Sequence, residues 1–220
     1  MREKQVVEHF PALDATRVCR SAFIRRIAGI DVSHDKAETL RRLEETHRKL
    51  RREIDLAGWP LLTVEQIHGD EITIVDFPIQ HDKEFAGSDG LITNQRRIAL
   101  GIHVADCCAV YIVDPKTPAV GLVHSGKKGT ERAIVSKALE KMRDGFGSNP
   151  AELVVQLSPC IRPPHYETDF AATIVEQCRA AGVKQIHDSG VCTACDLQRY
   201  YSYRAEKGKT GRMLALVGLR

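Results

Sequence analysis

Three short apolar runs lie close together in the middle of the chain and constrain its fold more than any other feature. They cover residues 98–104, 109–113 and 119–123. Apolar runs of this length, bounded by polar and turn-forming residues, are typical of buried β-strands. Proteins built on such strands collect their chemistry where the strands end. The segment from 88 to 130 therefore predicts both a buried sheet and a functional site.

Reactive side chains follow these strands. Asp106 and Cys107 come after the first run, and His124 directly follows the third. Upstream, His68 follows another strand-like run, Leu61–Val64. Two imidazoles and one thiolate suit a three-ligand zinc site that leaves a fourth position for water or substrate. Spacing alone does not prove that the three side chains converge, because they come from separate strands.

The same residues allow two other interpretations. His124 would lower the pKa of Cys107 and create a thiolate nucleophile for hydrolysis or deamidation without a metal. Alternatively, Cys107 and Cys108 are small core residues, and the histidines are hydrogen-bonded polar groups. Spacing leaves these alternatives open.

A basic turn with two glycines, residues 125–130, follows His124. Its glycines free backbone N–H groups and Lys128 adds positive charge, so it is a candidate anion site leading into a helix capped by Thr130. An exposed basic turn would have the same composition. Arg204 and Arg212 lie in a second polar segment, where they would either bind phosphate or be solvated.

Composition argues against several classes of partner. The net charge of +3, from 32 basic and 29 acidic residues, is too small to indicate nucleic-acid or membrane binding. Aromatic residues make up 5% of the chain, too few to suggest a base-stacking surface. No apolar run approaches the length of a membrane span, and the first residues lack the apolar core of a signal peptide. A cytoplasmic location is therefore expected.

The seven cysteines are an odd number and include one adjacent pair. Without an export signal they are expected to be reduced thiols. Cys192 and Cys195 have the spacing of a redox or zinc pair, but no second pair accompanies them. Two unrelated thiols would show the same spacing.

Periodicity predicts the remaining elements. Apolar residues three or four apart indicate helices over about residues 35–56, 130–142 and 170–181. Strand-like runs outside the central segment cover residues 18–24, 61–66, 71–77, 153–157, 183–187 and 213–217. The expected loops are residues 78–87 and 188–212, and residues 1–17 are expected to be an edge strand or a loosely attached arm. Strands outnumber helices, so the prediction is a single α/β or α+β domain over residues 1–220.

Several sequence blocks, taken in their order along the chain, resemble those of a known family. They are QIHGDEI, SDGLIT, ALGIHVADCCAVYIVDP, AVGLVHSGKKGT, SPCI, and CTAC followed by YYSYR and GKTGRMLALVGL. In this order they resemble the YfiH/laccase-like family, whose members also carry the names polyphenol oxidase and purine nucleoside phosphorylase. The resemblance extends from about Val18 to Leu219, and the ordered set is far more specific than any single block.

The resemblance implies a mixed β-sandwich flanked by helices, similar to a bacterial deamidating toxin domain with a Cys–His pair. It implies a zinc ion held by His68, Cys107 and His124. It also implies phosphorolysis of adenosine, inosine, guanosine or methylthioadenosine, and hydrolytic deamination of adenosine. An older assignment makes the family copper-dependent oxidases of phenols. Cys107, His124 and Asp106 would be the catalytic residues, with Asp106 orienting the site or acting as a general base.

The chain departs from the family pattern around the substrate. The family's AGWRG block is SGKKG here, so Lys128 stands in place of an arginine and offers phosphate a point charge without a bidentate fork. The block FIRRIAG keeps Arg26 but loses one glycine of the family pattern. The residues expected to bind phosphate or nucleoside are Arg26, Gln66, Lys128 and Arg204.

These observations lead to one hypothesis with three alternatives. The hypothesis is a zinc enzyme, a monomer or homodimer, that acts on a small purine nucleoside and phosphate. A copper phenol oxidase is disfavoured, because a multicopper site needs many more histidines than one triad supplies. A metal-free Cys–His hydrolase and a non-catalytic protein that binds zinc and nucleoside are the other two.

Overall fold

The computed structural model describes residues 6–220 and folds them into two six-stranded sheets. The strands are β1 (Val7–Glu8), β2 (Cys19–Ile24), β3 (Leu61–Val64), β4 (Ile72–Val75), β5 (Lys83–Phe85), β6 (Gly90–Thr93), β7 (Ala99–Val104), β8 (Cys108–Asp114), β9 (Ala119–Ser125), β10 (Val154–Leu157), β11 (Gln185–Asp188) and β12 (Met213–Leu219). The helices are α1 (Pro11–Asp14), α2 (Lys36–Glu53), α3 (Lys127–Glu131), α4 (Ile134–Phe146) and α5 (Phe170–Ala180).

Both sheets mix parallel and antiparallel strands. The first has the order β1-β2-β12-β7-β3-β5, and the second has the order β11-β10-β8-β9-β6-β4. Neighbours are antiparallel except that β3 runs parallel to β5 and β7, β4 to β6, and β10 to β11. Strands β7 and β8 are consecutive in the chain but belong to different sheets. The short turn between them therefore crosses from one sheet to the other.

The space between the sheets is filled by an apolar cluster. Leu100 and Val217 of the first sheet and Tyr111 of the second belong to it. The neighbours of Tyr111 on β8, Val110 and Ile112, belong to a separate cluster on the far side of the second sheet. Because successive side chains of a strand point to opposite faces, β8 is buried on both. This accounts for its uninterrupted apolar sequence.

Helices cover the outer faces of the two sheets. Leu43 and Leu50 of α2 pack with Ile24 and Leu214 of the first sheet. Helices α4 and α5 pack on the second sheet through their apolar stripes. The predicted mixed β-sandwich flanked by helices is confirmed. Within residues 6–220, the helices are all too short or too polar to cross a membrane.

The N-terminal region contributes an edge strand to the first sheet. Strand β1 pairs with the edge of β2, and Phe10 and Leu13 are buried in the cluster between the sheets. Of the two states expected for this segment, an edge strand or a loosely attached arm, residues 6–17 show the edge strand, and two large apolar side chains anchor it. Residues 1–5 of that arm lie outside the described part of the chain.

The helix after the basic turn begins later than predicted. Thr130 lies inside the five-residue helix α3 instead of capping the long helix. Ala133 has a left-handed backbone conformation, with φ of 56°, and separates α3 from α4. His124 lies within β9 instead of after it.

The two predicted loops contain more structure than their composition indicated. The 78–87 segment contributes β5, which pairs with β3 at the edge of the first sheet. The 188–212 segment buries Tyr200 and Tyr201 in the core between the sheets. The polar composition of this segment did not indicate the burial of Tyr200 and Tyr201, because they are two large side chains in an otherwise polar stretch.

A buried histidine on α2 gives the fold a defined response to acid. His47 is 5% exposed, and its Nε2 has no hydrogen-bond partner within residues 6–220. Its ring centroid lies 6.0 Å from that of His103 on β7. Burial lowers the pKa of His47 from 6.5 to about 4. The folded protein therefore keeps this imidazole uncharged.

We expect the free energy of unfolding to fall as the pH drops from about 6.5 to about 4, because the unfolded chain binds a proton there that the folded chain resists. This stabilisation is fully present above pH 6.5, and a shift of this size corresponds to about 3 kcal/mol. In His47→Leu, urea denaturation should show a smaller loss on acidification. The matched control, exposed His81→Leu, should keep the wild-type loss. Equal acid sensitivity in wild type and His47→Leu would contradict this account.

Candidate metal centre and ligand cavity

The structure brings together the three residues that the sequence nominated as metal ligands. His68 lies in the loop after β3, Cys107 in the turn between β7 and β8, and His124 on β9. Each offers one ligand atom, and these atoms all lie within 4.8 Å of one another. The two imidazole rings meet edge to face, with centroids 4.9 Å apart. A thiolate and two imidazoles so close together form a donor set that fits a soft or borderline divalent metal.

Strained backbone carries two of these ligands. Gln66 and His68 have φ values of 63° and 60°, and Asp106, directly before Cys107, has a φ of 83°. Residues other than glycine rarely adopt this left-handed region, and such outliers concentrate at functional sites. The surrounding contacts therefore hold both loops in conformations that they would not adopt alone.

Asp89, which sequence reasoning did not single out, organises two of the ligands. Its carboxylate accepts a hydrogen bond from His124 Nδ1 at 2.8 Å. It also accepts from the backbone N–H groups of Ile67, His68 and Gly69, at 3.2, 2.9 and 2.7 Å. The bond to Nδ1 leaves Nε2 of His124 as its free ligand atom. The sequence signal was an acidic residue directly before a buried strand, in the block SDGLIT.

Electrostatics favour charge separation within the cluster. Burial raises the pKa of Cys107, but His124 and His68 outweigh burial and lower that pKa to about 6. Burial lowers the pKa of His124, but Cys107 and Asp89 outweigh it and raise that pKa to about 9. Without a cation, the pair is therefore a thiolate and an imidazolium at neutral pH. A metal that binds His124 displaces its proton, so affinity rises with pH.

Gly126 makes room for the thiolate. A Cβ atom at this position would lie 2.5 Å from Sγ of Cys107. The backbone of Gly126 is extended, with φ of −99°, so steric exclusion and not conformation requires glycine here. The basic turn thus forms the wall against which Cys107 rests.

Gly126→Ala should weaken metal binding by about tenfold or more, because the added methyl group must displace Cys107 Sγ from its partners. A metal titration in competition with a chromogenic chelator measures this loss. Gly145→Ala is the matched control, since a Cβ there meets only a distant methyl group at 3.9 Å. Unchanged affinity in Gly126→Ala would show that Cys107 does not bind the metal.

A cavity of about 770 Å³ opens beside the cluster. Its walls include apolar and aromatic side chains such as Ile67, Tyr166, Phe170 and Tyr203. The cationic side chains in its lining are Lys36, Lys127, Lys128, Arg204, Lys207 and Arg212. A cavity of this size holds a drug-sized molecule, and its charge favours an anionic one.

Two of the predicted substrate-binding residues face this cavity at its wall. Lys128 and Arg204 both line it. Arg204 pairs with Glu167 at 2.9 Å and lies over the ring of Tyr166, 4.8 Å from its centroid. Glu167 also lies 3.5 Å from Nζ of Lys127. One carboxylate therefore bridges two of the cations.

Gln66 lines the cavity, but its side chain is committed to the backbone. Its Nε2 donates to the carbonyl of His103 at 2.6 Å, and its Oε1 accepts from the N–H of His103 at 3.0 Å. This reciprocal pair ties the loop that carries His68 to strand β7. The geometry gives Gln66 a positioning role beside the ligand.

Arg26, which was expected to bind phosphate, does not belong to the lining of this cavity. Its Nε donates to the carbonyl of Tyr200 at 3.1 Å, and its guanidinium pairs with Glu206 at 2.6 Å. The guanidinium also lies 4.4 Å from the ring centroid of Tyr201. These partners lie far away in the sequence. Arg26 therefore anchors the 188–212 segment.

Asp106 is buried, and both of its carboxylate oxygens are occupied. Thr193 Oγ1 donates to one at 2.7 Å, and the backbone N–H of Arg204 donates to the other at 2.7 Å. Thr193 lies between the two cysteines of the CTAC block. Of these, Cys192 is half-buried and Cys195 is exposed, and neither belongs to the metal cluster. Asp106 thus connects the turn of Cys107 to the 188–212 segment.

The sequence matches a family of known proteins. The family described as multi-copper polyphenol oxidoreductase laccase matches residues 21–169 and 165–220. The chain belongs to this family. The resemblance to YfiH/laccase-like proteins, drawn from the sequence blocks, is thereby confirmed.

Two named relatives and one crystal structure illustrate the laccase-like family. Purine nucleoside phosphorylase YlmD of Bacillus subtilis is 27% identical over 166 residues, which are 60% of this chain and 59% of that protein. The chain thus spans less than two thirds of that relative. Purine nucleoside phosphorylase YlmD of Geobacillus stearothermophilus is 28% identical over 233 residues, covering 87% of this chain and 82% of the relative. The Geobacillus YlmD crystal structure superposes with a TM-score of 0.83 at 23% identity, covering 96% and 94% of the two chains, and shows the shared fold.

Proposed function

We propose that this chain is a zinc-dependent purine nucleoside phosphorylase, which transfers the sugar of a nucleoside to inorganic phosphate. The observation that carries the proposal is that the cluster of His68, Cys107 and His124 opens directly into a cation-lined cavity of about 770 Å³. A nucleoside and a phosphate ion fit together in a cavity of this size. The names of the two relatives agree with this chemistry.

Zinc is the metal that we propose for the cluster. Three N and S donors suit it, and a zinc site with three protein ligands would keep a fourth position for water or substrate. When bound, the ion supplies a Lewis acid at the cavity wall. Copper is the alternative suggested by the family description. A multicopper oxidase needs several ligand clusters, whereas residues 6–220 contain one group of three potential ligands.

The reaction that we propose breaks the glycosidic bond and forms a new bond from C1′ of the sugar to a phosphate oxygen. The purine leaves with the electron pair of the broken bond and takes up a proton. Lys128 and Arg204 supply positive charge to the substrates at the cavity wall. Asp106 acts by positioning Cys107, because its two oxygens already accept hydrogen bonds.

The proposed substrates are adenosine, inosine, guanosine and methylthioadenosine, with hydrolytic deamination of adenosine as an additional activity. The proposal places the enzyme in the cytoplasm as a monomer or homodimer. It requires no nucleic acid or membrane, in keeping with the net charge of +3.

The test combines elemental analysis of the purified protein with chromatography of each nucleoside, with and without phosphate. Stoichiometric zinc and release of free base that depends on phosphate would support the proposal. Release of base that does not depend on phosphate would point to a hydrolase. Zinc without turnover of any nucleoside would contradict the proposal and favour a non-catalytic binding protein.

A metal-free Cys–His hydrolase is the second candidate, and the polarised pair of Cys107 and His124 favours it. A thiolate beside an imidazolium is the arrangement of a cysteine nucleophile. Iodoacetamide should inactivate such an enzyme, while a chelator should not. The zinc phosphorylase should instead lose activity in the chelator and regain it with added zinc.

A further inference from the structure

A group of cationic residues in the cavity has no carboxylate partner within residues 6–220. Arg212 is half-buried, and its guanidinium donates to the carbonyls of Thr210 and Gly211, at 3.1 and 2.9 Å. Lys36 donates to the carbonyl of Glu65 at 2.9 Å. Both line the same cavity as the metal ligands. Their charges are thus met only by neutral acceptors.

Arg212 is half-buried, whereas its place in a polar segment also allowed a solvated side chain. Burial lowers its pKa, and the attraction of Cys107 and Asp106 does not outweigh that effect. A half-buried cation without a directly paired carboxylate is costly, and an anion bound beside it offsets the cost. Arg212 lines the same cavity as Cys107.

His103 lines the same cavity as these cations. Its backbone is held by the amide of Gln66, and its ring packs on that of His47, with centroids 6.0 Å apart. Burial, with the nearby charges of His47, Lys36 and Arg212, lowers the pKa of His103 to about 3. An uncharged imidazole in the wall of a cation-lined cavity can donate a hydrogen bond to an oxyanion.

We propose that Arg212, His103 and Lys36 form the oxyanion subsite of the cavity, and that its occupant is the phosphate co-substrate. This inference rests on the proposed phosphorylase function and changes the residues assigned to phosphate. Arginine presents a planar fork that matches two phosphate oxygens, whereas Lys128 is a point charge. Arg204 is already paired with Glu167, whose carboxylate would repel phosphate at that wall.

The test measures binding of inorganic phosphate alone by calorimetry, followed by KM for phosphate and for nucleoside, on the zinc-loaded protein. In Arg212→Gln the dissociation constant for phosphate should rise about 10- to 100-fold, the range expected when a charged hydrogen-bond partner is lost. KM for phosphate should rise with it, while KM for nucleoside stays within about threefold. Arg212→Lys should recover part of the affinity, and His103→Phe should weaken it about tenfold. Thermal melting verifies that each variant is folded.

Two further variants decide the location. Arg179→Gln, on the exposed end of α5, is the matched control and should bind phosphate as wild type does. In Arg204→Gln the loss of phosphate affinity should be smaller than in Arg212→Gln, because Arg204 is already paired with Glu167. Loss of phosphate affinity in Arg204→Gln, with none in Arg212→Gln, would overturn the subsite.

Three further outcomes of these experiments distinguish failure of the subsite from failure of the proposed function. Phosphorolysis with an unchanged KM for phosphate in both Arg212→Gln and His103→Phe would overturn the subsite and leave the function standing. Phosphate binding that depends on Arg212, without turnover of any nucleoside, would support the oxyanion subsite and overturn the function. A nucleoside 5′-monophosphate that binds at Arg212 more than about tenfold tighter than phosphate would overturn the co-substrate assignment.

Discussion

Replacing His68 by alanine should abolish stoichiometric metal binding and reduce kcat/KM by more than about 100-fold, beyond the loss typical of a residue that only supports a ligand. The reason is that His68 supplies one of three donor atoms that lie within 4.8 Å of one another. Two remaining donors hold a divalent metal far more weakly than three. Elemental analysis and nucleoside turnover on the same preparation measure both losses.

The matched control for His68→Ala is His81→Ala, because His81 is an exposed histidine outside the cavity lining. It should keep wild-type metal content and turnover. A metal-free His68→Ala protein that retained full activity would contradict the zinc mechanism. It would direct attention to Cys107 as a nucleophile, and Cys107→Ser would then be the decisive variant.

Asp89→Asn should lower metal affinity by about 10- to 100-fold, although Asp89 does not itself belong to the cluster. Its carboxylate accepts from His124 Nδ1 and from three backbone N–H groups of the loop that carries His68. An asparagine oxygen can still accept hydrogen bonds, but it brings no negative charge to His124. The imidazole then becomes a poorer and less well-oriented donor.

The same substitution should also destabilise the metal-free fold by about 1 to 3 kcal/mol, because Asp89 is fully buried and its partners lose a charged acceptor. Chelator competition measures the affinity, and urea denaturation measures the stability. Asp144→Asn, an exposed carboxylate on α4, serves as control and should change neither quantity appreciably. If Asp89→Asn bound metal as tightly as wild type, Asp89 would have no part in orienting His124.

Much of the fold could be predicted because the buried strands carry strong local signals. Strand β8 is buried on both faces, so its sequence is apolar without interruption, and α2 shows its apolar stripe at helical spacing. The break at Ala133 could not be predicted, since alanine favours a helix and nothing local marks a left-handed residue. Its conformation follows from how α3 and α4 pack together on the second sheet.

The candidate site divides in the same way. His68, Cys107 and His124 could be nominated because their chemistry and their places at strand ends are visible in the sequence. Asp89 and Arg26 could not be assigned, because their roles depend on partners distant in the chain. Arg26, which was expected to bind phosphate, meets Tyr200, 174 positions away, and does not line the cavity. Packing determines which cation pairs with which carboxylate, and the spacing of these residues in the sequence does not predict it.

The crossing of the chain from β7 to β8 has a consequence for how the protein would respond to loss of its metal. His68 follows a strand of the first sheet, His124 lies on the second, and Cys107 sits on the turn between them. An ion bound by all three would therefore link the two sheets at one corner of the sandwich. Chelation should raise hydrogen exchange at the adjoining ends of β3 and β9, while the opposite corner keeps its protection. The metal would thus stabilise the fold as well as take part in the reaction.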